Sequence, residues 1–166
     1  MIENNFHVLM VCTGNTCRSP MAEGILRSML RQRGEIEIEV SSAGIGGLNN
    51  YPAAQFAIES ARHWDVDISD HRARNIDREM IRRADLILAM SPEHVEYILR
   101  LDSSAAAKTY LIKAFPKPYS PGQEGVDDPI GGLLEQYNKT FLELDEALRR
   151  AEGDILRLAK SSKRDS

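Results

Sequence analysis

The stretch Val11-Cys12-Thr13-Gly14-Asn15-Thr16-Cys17-Arg18-Ser19-Pro20 sits between a strand-like run and a helix-like run. Residues 6–11, Phe-His-Val-Leu-Met-Val, are short, apolar and rich in strand formers. After the stretch, Met21, Ala22, Ile25, Leu26, Met29 and Leu30 fall on one helical face, and Gly34 supplies the stop. A strand, a loop of small and polar residues, then a helix presents backbone N–H groups at a helix N-terminus, where an anion binds. Arg18 adds a planar fork that matches phosphate oxygens. Cys12 lies in the same positive field, which favours the thiolate over the thiol.

Working outward, residues 35–40 alternate strictly and predict a half-exposed strand. Residues 41–50 form a small-residue loop, and Pro52 can open a helix carrying Ala53, Phe56, Ala57, Ile58 and Ala61. The chain turns over 65–71, and 75–83 reads as a short helix. Residues 84–90 are a buried strand by composition. Ser91-Pro92-Glu93 is an N-cap signature for a helix ending near Leu101. A fourth strand covers 108–112, and the Pro- and Gly-rich residues 115–125 form a long loop. Leu134, Tyr137, Phe141, Leu144, Leu148, Ala151, Ile155 and Leu158 repeat at three-four spacing. That pattern fits one long terminal helix over a sheet face, with a coiled-coil seam as the alternative. Alternating strands and helices predict an α/β protein with a parallel sheet covered on both faces and a ligand at the carboxyl ends of the strands. We expect one domain over 1–160 and a frayed tail over 161–166.

Composition narrows the function classes. The chain has 166 residues and a formal net charge of −4, which gives no nucleic-acid footprint, so any positive potential must be local. The apolar runs are too short to span a bilayer. Residues 1–5 show neither a basic nor an apolar leader segment, which points to the cytoplasm. There the two cysteines favour chemistry over stapling. They do not form Cys-x-x-Cys, and with four scattered histidines no metal set emerges. The loop also lacks the Gly-Lys-Ser/Thr ending of a Walker nucleotide loop.

Cys12, five intervening residues, Arg18 and then Ser19 resemble the signature of protein phosphatases. The fuller string from Cys12 to Glu23 resembles the low-molecular-weight protein tyrosine phosphatase family. That resemblance implies a three-layer, four-stranded parallel sheet of order 2-1-3-4. It also implies a protein phosphatase acting on phosphotyrosine or phosphoarginine through a cysteinyl-phosphate intermediate. Cys12 would be the nucleophile. Arg18 would clamp the phosphate together with Thr13, Gly14, Asn15, Thr16 and Cys17, while Ser19 would donate to the thiolate. The family carries its general acid in an Asp-Pro pair near the C-terminus, which maps onto Asp128. Ser42 and His71 match positions that brace the loop through the asparagine, and residues 71–74 repeat the family's His-x-Ala-Arg string. Read from the residues alone, a surface histidine at a turn is the alternative for His71. Cys17 is either a small buried helix residue or, as the resemblance implies, the partner of Cys12 in a reversible disulfide.

Three departures from the tyrosine-specific pattern stand out: Ile130 in place of an aromatic after Asp128-Pro129, Leu48 where the family often carries tryptophan, and Thr16 in place of a bulky aliphatic. Thr16 with Asp-Pro-x-Gly-Gly resembles the bacterial protein-arginine phosphatase branch. The resemblance implies phosphorylated proteins as substrates, phosphate, vanadate and sulfate as ligands, a monomer, and neither cofactor nor metal. Two alternatives carry the same loop. One is a silent phosphate-binding module. The other is an arsenate reductase of the same fold, which relays through a further downstream cysteine that is missing after Cys17.

Overall fold

The computed structural model describes residues 5–35, 37–47 and 49–164. Its elements run β1 (Phe6–Cys12), α1 (Arg18–Gln32), β2 (Ile38–Gly44), α2 (Gln55–His63), α3 (Arg78–Arg83), β3 (Leu86–Ala89), α4 (Pro92–Leu101), a 3-10 turn (Ser103–Lys108), β4 (Thr109–Leu111) and α5 (Leu134–Arg164). The four strands form a sheet of order β2-β1-β3-β4 in which every neighbour is parallel. This is the order that the family resemblance implied.

β1 is central and apolar on both faces, as a doubly covered parallel strand must be. Its alternation sorts the layers. Val8, Met10 and Cys12 join the core built with α1, α2 and α5. Leu9 and Val11 join the opposite core, with Ile81 of α3 and Ile98 of α4. α5 covers the first face through Tyr137, Phe141, Leu144, Leu148, Ala151 and Ile155, so its apolar repeat serves the sheet and not a coiled-coil seam. Ala159 is buried where the repeat suggested Leu158, which is 40% exposed. The helix continues to Arg164, past Ser161, where the sequence placed the start of a frayed tail.

The largest departure from the sequence reading is β2. Alternation placed it at 35–40, but it pairs with β1 from Ile38 to Gly44, with Cys12 opposite Gly44. Pairing decides this: the small residues 41–44 lie flat beside the carboxyl end of β1, and Ser42, Ala43 and Gly44 are buried there. Ile36, part of the expected strand, lies outside the described residues. α2 starts at Gln55 and not at Pro52, and α3 starts at Arg78 after the N-cap Asp77, whose carboxylate accepts from the Met80 N–H at 2.8 Å. Asn75 is released from that helix to form an isolated bridge with Gly44. Among the described residues, no helix is long and apolar enough to cross a membrane.

Candidate active site

The loop after β1 is held from outside by its carbonyl oxygens. Those of Cys12 and Thr13 accept from the N–H groups of Ile45 (3.0 Å) and Gly46 (3.1 Å), and that of Thr16 accepts from Ala54 N–H (2.9 Å). The Asn15 carbonyl meets His71 Nε2 at 2.7 Å. In a planar trans peptide the N–H after each anchored carbonyl points the other way, so those of Thr13, Gly14, Thr16 and Cys17 face away from these anchors and meet no protein acceptor among the described residues. A row of inward N–H groups is an anion cradle. Close approach demands glycine next door. A Cβ on Gly44 would lie 2.5 Å from the Thr13 carbonyl oxygen, and one on Gly47 would lie 2.5 Å from that of Gly14.

Asn15 is the hinge of the loop. It adopts the left-handed φ of +57° that wrapping requires and is fully buried. Its Nδ2 donates to Ser19 Oγ (2.8 Å) and Ser42 Oγ (3.0 Å), and its Oδ1 accepts from the Arg74 N–H (2.9 Å). The Ser42 hydroxyl in turn donates to Glu23 Oε1 at 2.6 Å. Because Ser19 Oγ already accepts from Asn15, its proton is free for Cys12 Sγ, 2.8 Å away. The side chains of Asn15 and Ser19 therefore stand behind the loop and shape it, while Thr13, Gly14, Thr16 and Cys17 line the cavity in front.

That cavity, about 250 Å³, also exposes Cys12, Arg18 and Asp128. Arg18 is buried. Its Nη1 donates to Ser91 Oγ (2.9 Å) and the Val126 carbonyl (2.8 Å), and its Nη2 lies 3.3 Å from Thr13 Oγ1 and 3.4 Å from Asp128 Oδ2. Arg18 Nε is buried without a protein partner, a polar atom that an oxyanion in the cradle would satisfy. Asp128 hangs from the exposed segment before α5, and its Oδ1 accepts from the Ile130 N–H at 3.1 Å. Asp127 is exposed and does not line the cavity. A wider polar groove of about 420 Å³ lies behind the loop, along Glu23, Arg27, Ser42, His71, Arg72 and Arg74, away from the thiol.

Residues 7–162 match the family model described as low molecular weight phosphotyrosine protein phosphatase. The chain belongs to this family. It is 36% identical over 140 residues to the low molecular weight protein-tyrosine-phosphatase Etp of Escherichia coli, covering 81% of this chain and 90% of that protein. It is 35% identical over 159 residues to the protein-arginine-phosphatase of Bacillus subtilis, covering 95% and 97%. A crystal structure of the low molecular weight protein tyrosine phosphatase from T. tengcongensis superposes with a TM-score of 0.81 at 39% identity, covering 90% of this chain and 99% of that one. A cysteine-to-serine mutant of the YwlE arginine phosphatase, with a phosphorylated active-site serine, superposes at 0.82 and 32% identity, covering 92% and 99%.

Within this phosphatase, several residues complete the site that sequence reasoning did not single out. Ser91 and His94 at the start of α4, the Val126 carbonyl and the Arg74 N–H hold groups of residues 13–18, while Glu23 and the Arg74 guanidinium hold Ser42 of β2 behind them. The signal for the first two was present: an N-cap motif on a helix that must start at the carboxyl edge of a parallel sheet points at that edge. Burial and the Arg18 charge push His94 down to about 4. Cys17 is buried and packs 3.6 Å from the Tyr137 hydroxyl of α5; burial pushes its thiol up and outweighs that contact. Leu48, noted above for its missing tryptophan, lies outside the described residues.

Proposed function

We propose that this phosphatase removes phosphoryl groups from phosphorylated protein side chains in two steps at Cys12. The thiolate attacks phosphorus in line and forms the P–S bond while the bond to the leaving oxygen or nitrogen breaks. Asp128 gives its proton to the leaving atom. The same carboxylate then takes a proton from water, which attacks phosphorus, breaks the P–S bond and returns the thiolate and inorganic phosphate. Arg18 and the N–H groups of 13–17 hold the equatorial oxygens throughout. The observation that carries this reading is convergence: thiol, open N–H row, buried guanidinium and carboxylate share one cavity. The phosphorylated serine of the YwlE mutant supports a covalent intermediate at the nucleophile position. Hydrolysis of p-nitrophenyl phosphate in the presence of EDTA tests it; turnover that depends on added metal would count against it.

We propose phosphoarginine as the preferred substrate. Thr16 forms part of the cavity wall, and Ile130, 65% exposed at its edge, puts no aromatic ring there. A phosphorylated guanidinium is polar along its edge and needs its donors satisfied once water is excluded. The short Thr16 side chain leaves room and offers an acceptor. The match to the arginine phosphatase along nearly the whole chain supports the same choice. Rates on phosphoarginine and phosphotyrosine peptides, measured side by side, decide it. Two free buried cysteines fit a reducing, cytoplasmic location.

A further inference from the structure

His94 has no part in the two chemical steps, yet it is fully buried against the phosphate loop. Its Nδ1 accepts from the Ser91 N–H at 3.0 Å. A neutral imidazole has one acceptor and one donor, so this bond leaves the proton on Nε2. Nε2 lies 2.9 Å from Thr13 Oγ1 and donates to it. The Glu93 carboxylate, 3.9 Å from Nε2, is too far to compete. Arg18 Nη2 reaches the same Thr13 oxygen at 3.3 Å. Two donors use the two lone pairs of that hydroxyl. Thr13 is left as a donor, and it lines the cavity beside Cys12.

We infer that His94 is a positioning residue: it sets the Thr13 hydroxyl as a fixed donor to the phosphoryl group and steadies the Arg18 fork from the N-terminus of α4. The same segment holds the other side of the fork, because Ser91 Oγ takes Arg18 Nη1. One helix start thus fixes both the guanidinium and a hydroxyl of the cradle. This role rests on the phosphatase reading above. The depressed pKa keeps the ring neutral and the tautomer constant at ordinary pH.

Two substitutions separate the bonds of His94. Glutamine places an amide nitrogen near the Nε2 position and keeps the donor to Thr13; asparagine places its oxygen near Nδ1 and keeps only the bond to Ser91. His94→Gln is expected to hold kcat/KM on p-nitrophenyl phosphate within about threefold of wild type, and His94→Asn to lower it about 10–100-fold, mostly in kcat. In a Thr13→Val background, His94→Asn should cost nothing further. Equal activity of both variants, or a His94→Asn loss that persists undiminished beside Thr13→Val, overturns the role. If either variant fails to fold, nitrogen NMR on the wild-type protein decides. Protonated Nε2, with a resonance that moves on orthovanadate binding, supports the role; protonated Nδ1 or an unmoved resonance overturns it. Wild-type protein that binds orthovanadate but lacks turnover would strike at the phosphatase reading instead, and the NMR arm still decides the tautomer.

Discussion

Residues 12–18 and the segment 115–133, through its Asp128 and Ile130, line the same cavity. In the first segment every residue but Thr13, Gly14 and Thr16 is buried, and backbone from Ile45 and Gly46 after β2 and from Ala54 before α2, with side chains from α1, α4 and the 71–74 turn, holds it. In the second, Asp127, Asp128 and Ile130 are exposed, and the anchors reaching the site are few: Val126 N–H to the Met90 carbonyl at 2.7 Å and the Val126 carbonyl to Arg18 at 2.8 Å. In the mechanism proposed above, the first segment would bind the dianion, and its partners hold it through protein contacts alone. The second segment, which in that mechanism would carry the acid, is pinned at Val126, and Asp127 and Asp128 next to it are exposed. Pre-formed donors stabilise charge without reorganisation, whereas an acid that must meet varied leaving groups gains from access.

The contrast predicts that binding and chemistry can be taken apart. Cys12→Ser should abolish turnover while phosphate or vanadate still binds, because the N–H row and Arg18 persist; titration calorimetry alongside rate assays checks both halves. Hydrolysis at the wild-type rate would sink the mechanism. Asp128→Asn should slow substrates with poor leaving groups by about 10²–10⁴-fold and spare activated aryl phosphates more. The same series on Asp127→Asn should lie flat, and a leaving-group dependence appearing there instead would move the acid by one residue. Arg18→Lys should cost about 10²–10³-fold in kcat, since a point charge cannot copy the fork that spans Ser91, Val126 and Thr13.

Stability sharpens the comparison. Asn15→Ala should lose about 2–4 kcal/mol in denaturant unfolding, from the left-handed φ and the buried partners it strands. Asp128→Asn, on the exposed side, should stay within about 0.5 kcal/mol of wild type. Similar losses for the two would mean that the segments are not held differently. The smallest expected effect is one of preference: Thr16→Ile should shift the rate ratio from phosphoarginine toward phosphotyrosine with phosphate affinity nearly unchanged. A ratio that does not move, or a wild type that strongly prefers phosphotyrosine, leaves the tyrosine reading standing.

Much of this molecule was decided by local chemistry and could be read in order along the chain. The strand before Cys12, the helix after Arg18, the long apolar repeat of α5 and the positive φ at Asn15 all follow from residue type and spacing, because each depends on neighbours within a turn or two. Other features depended on partners far away in sequence. β2 was displaced to Ile38–Gly44 because pairing with β1, not its own alternation, sets its ends. Ser42 and His71 became braces of the loop only when that pairing and the 71–74 turn brought them to Asn15. His94, an ordinary third residue of a helix by sequence, became the hydrogen-bond partner of Thr13 because the parallel sheet carries β1 and β3 to the same edge. Residue order sets what each segment can form, but only packing across the sheet sets which side chains meet.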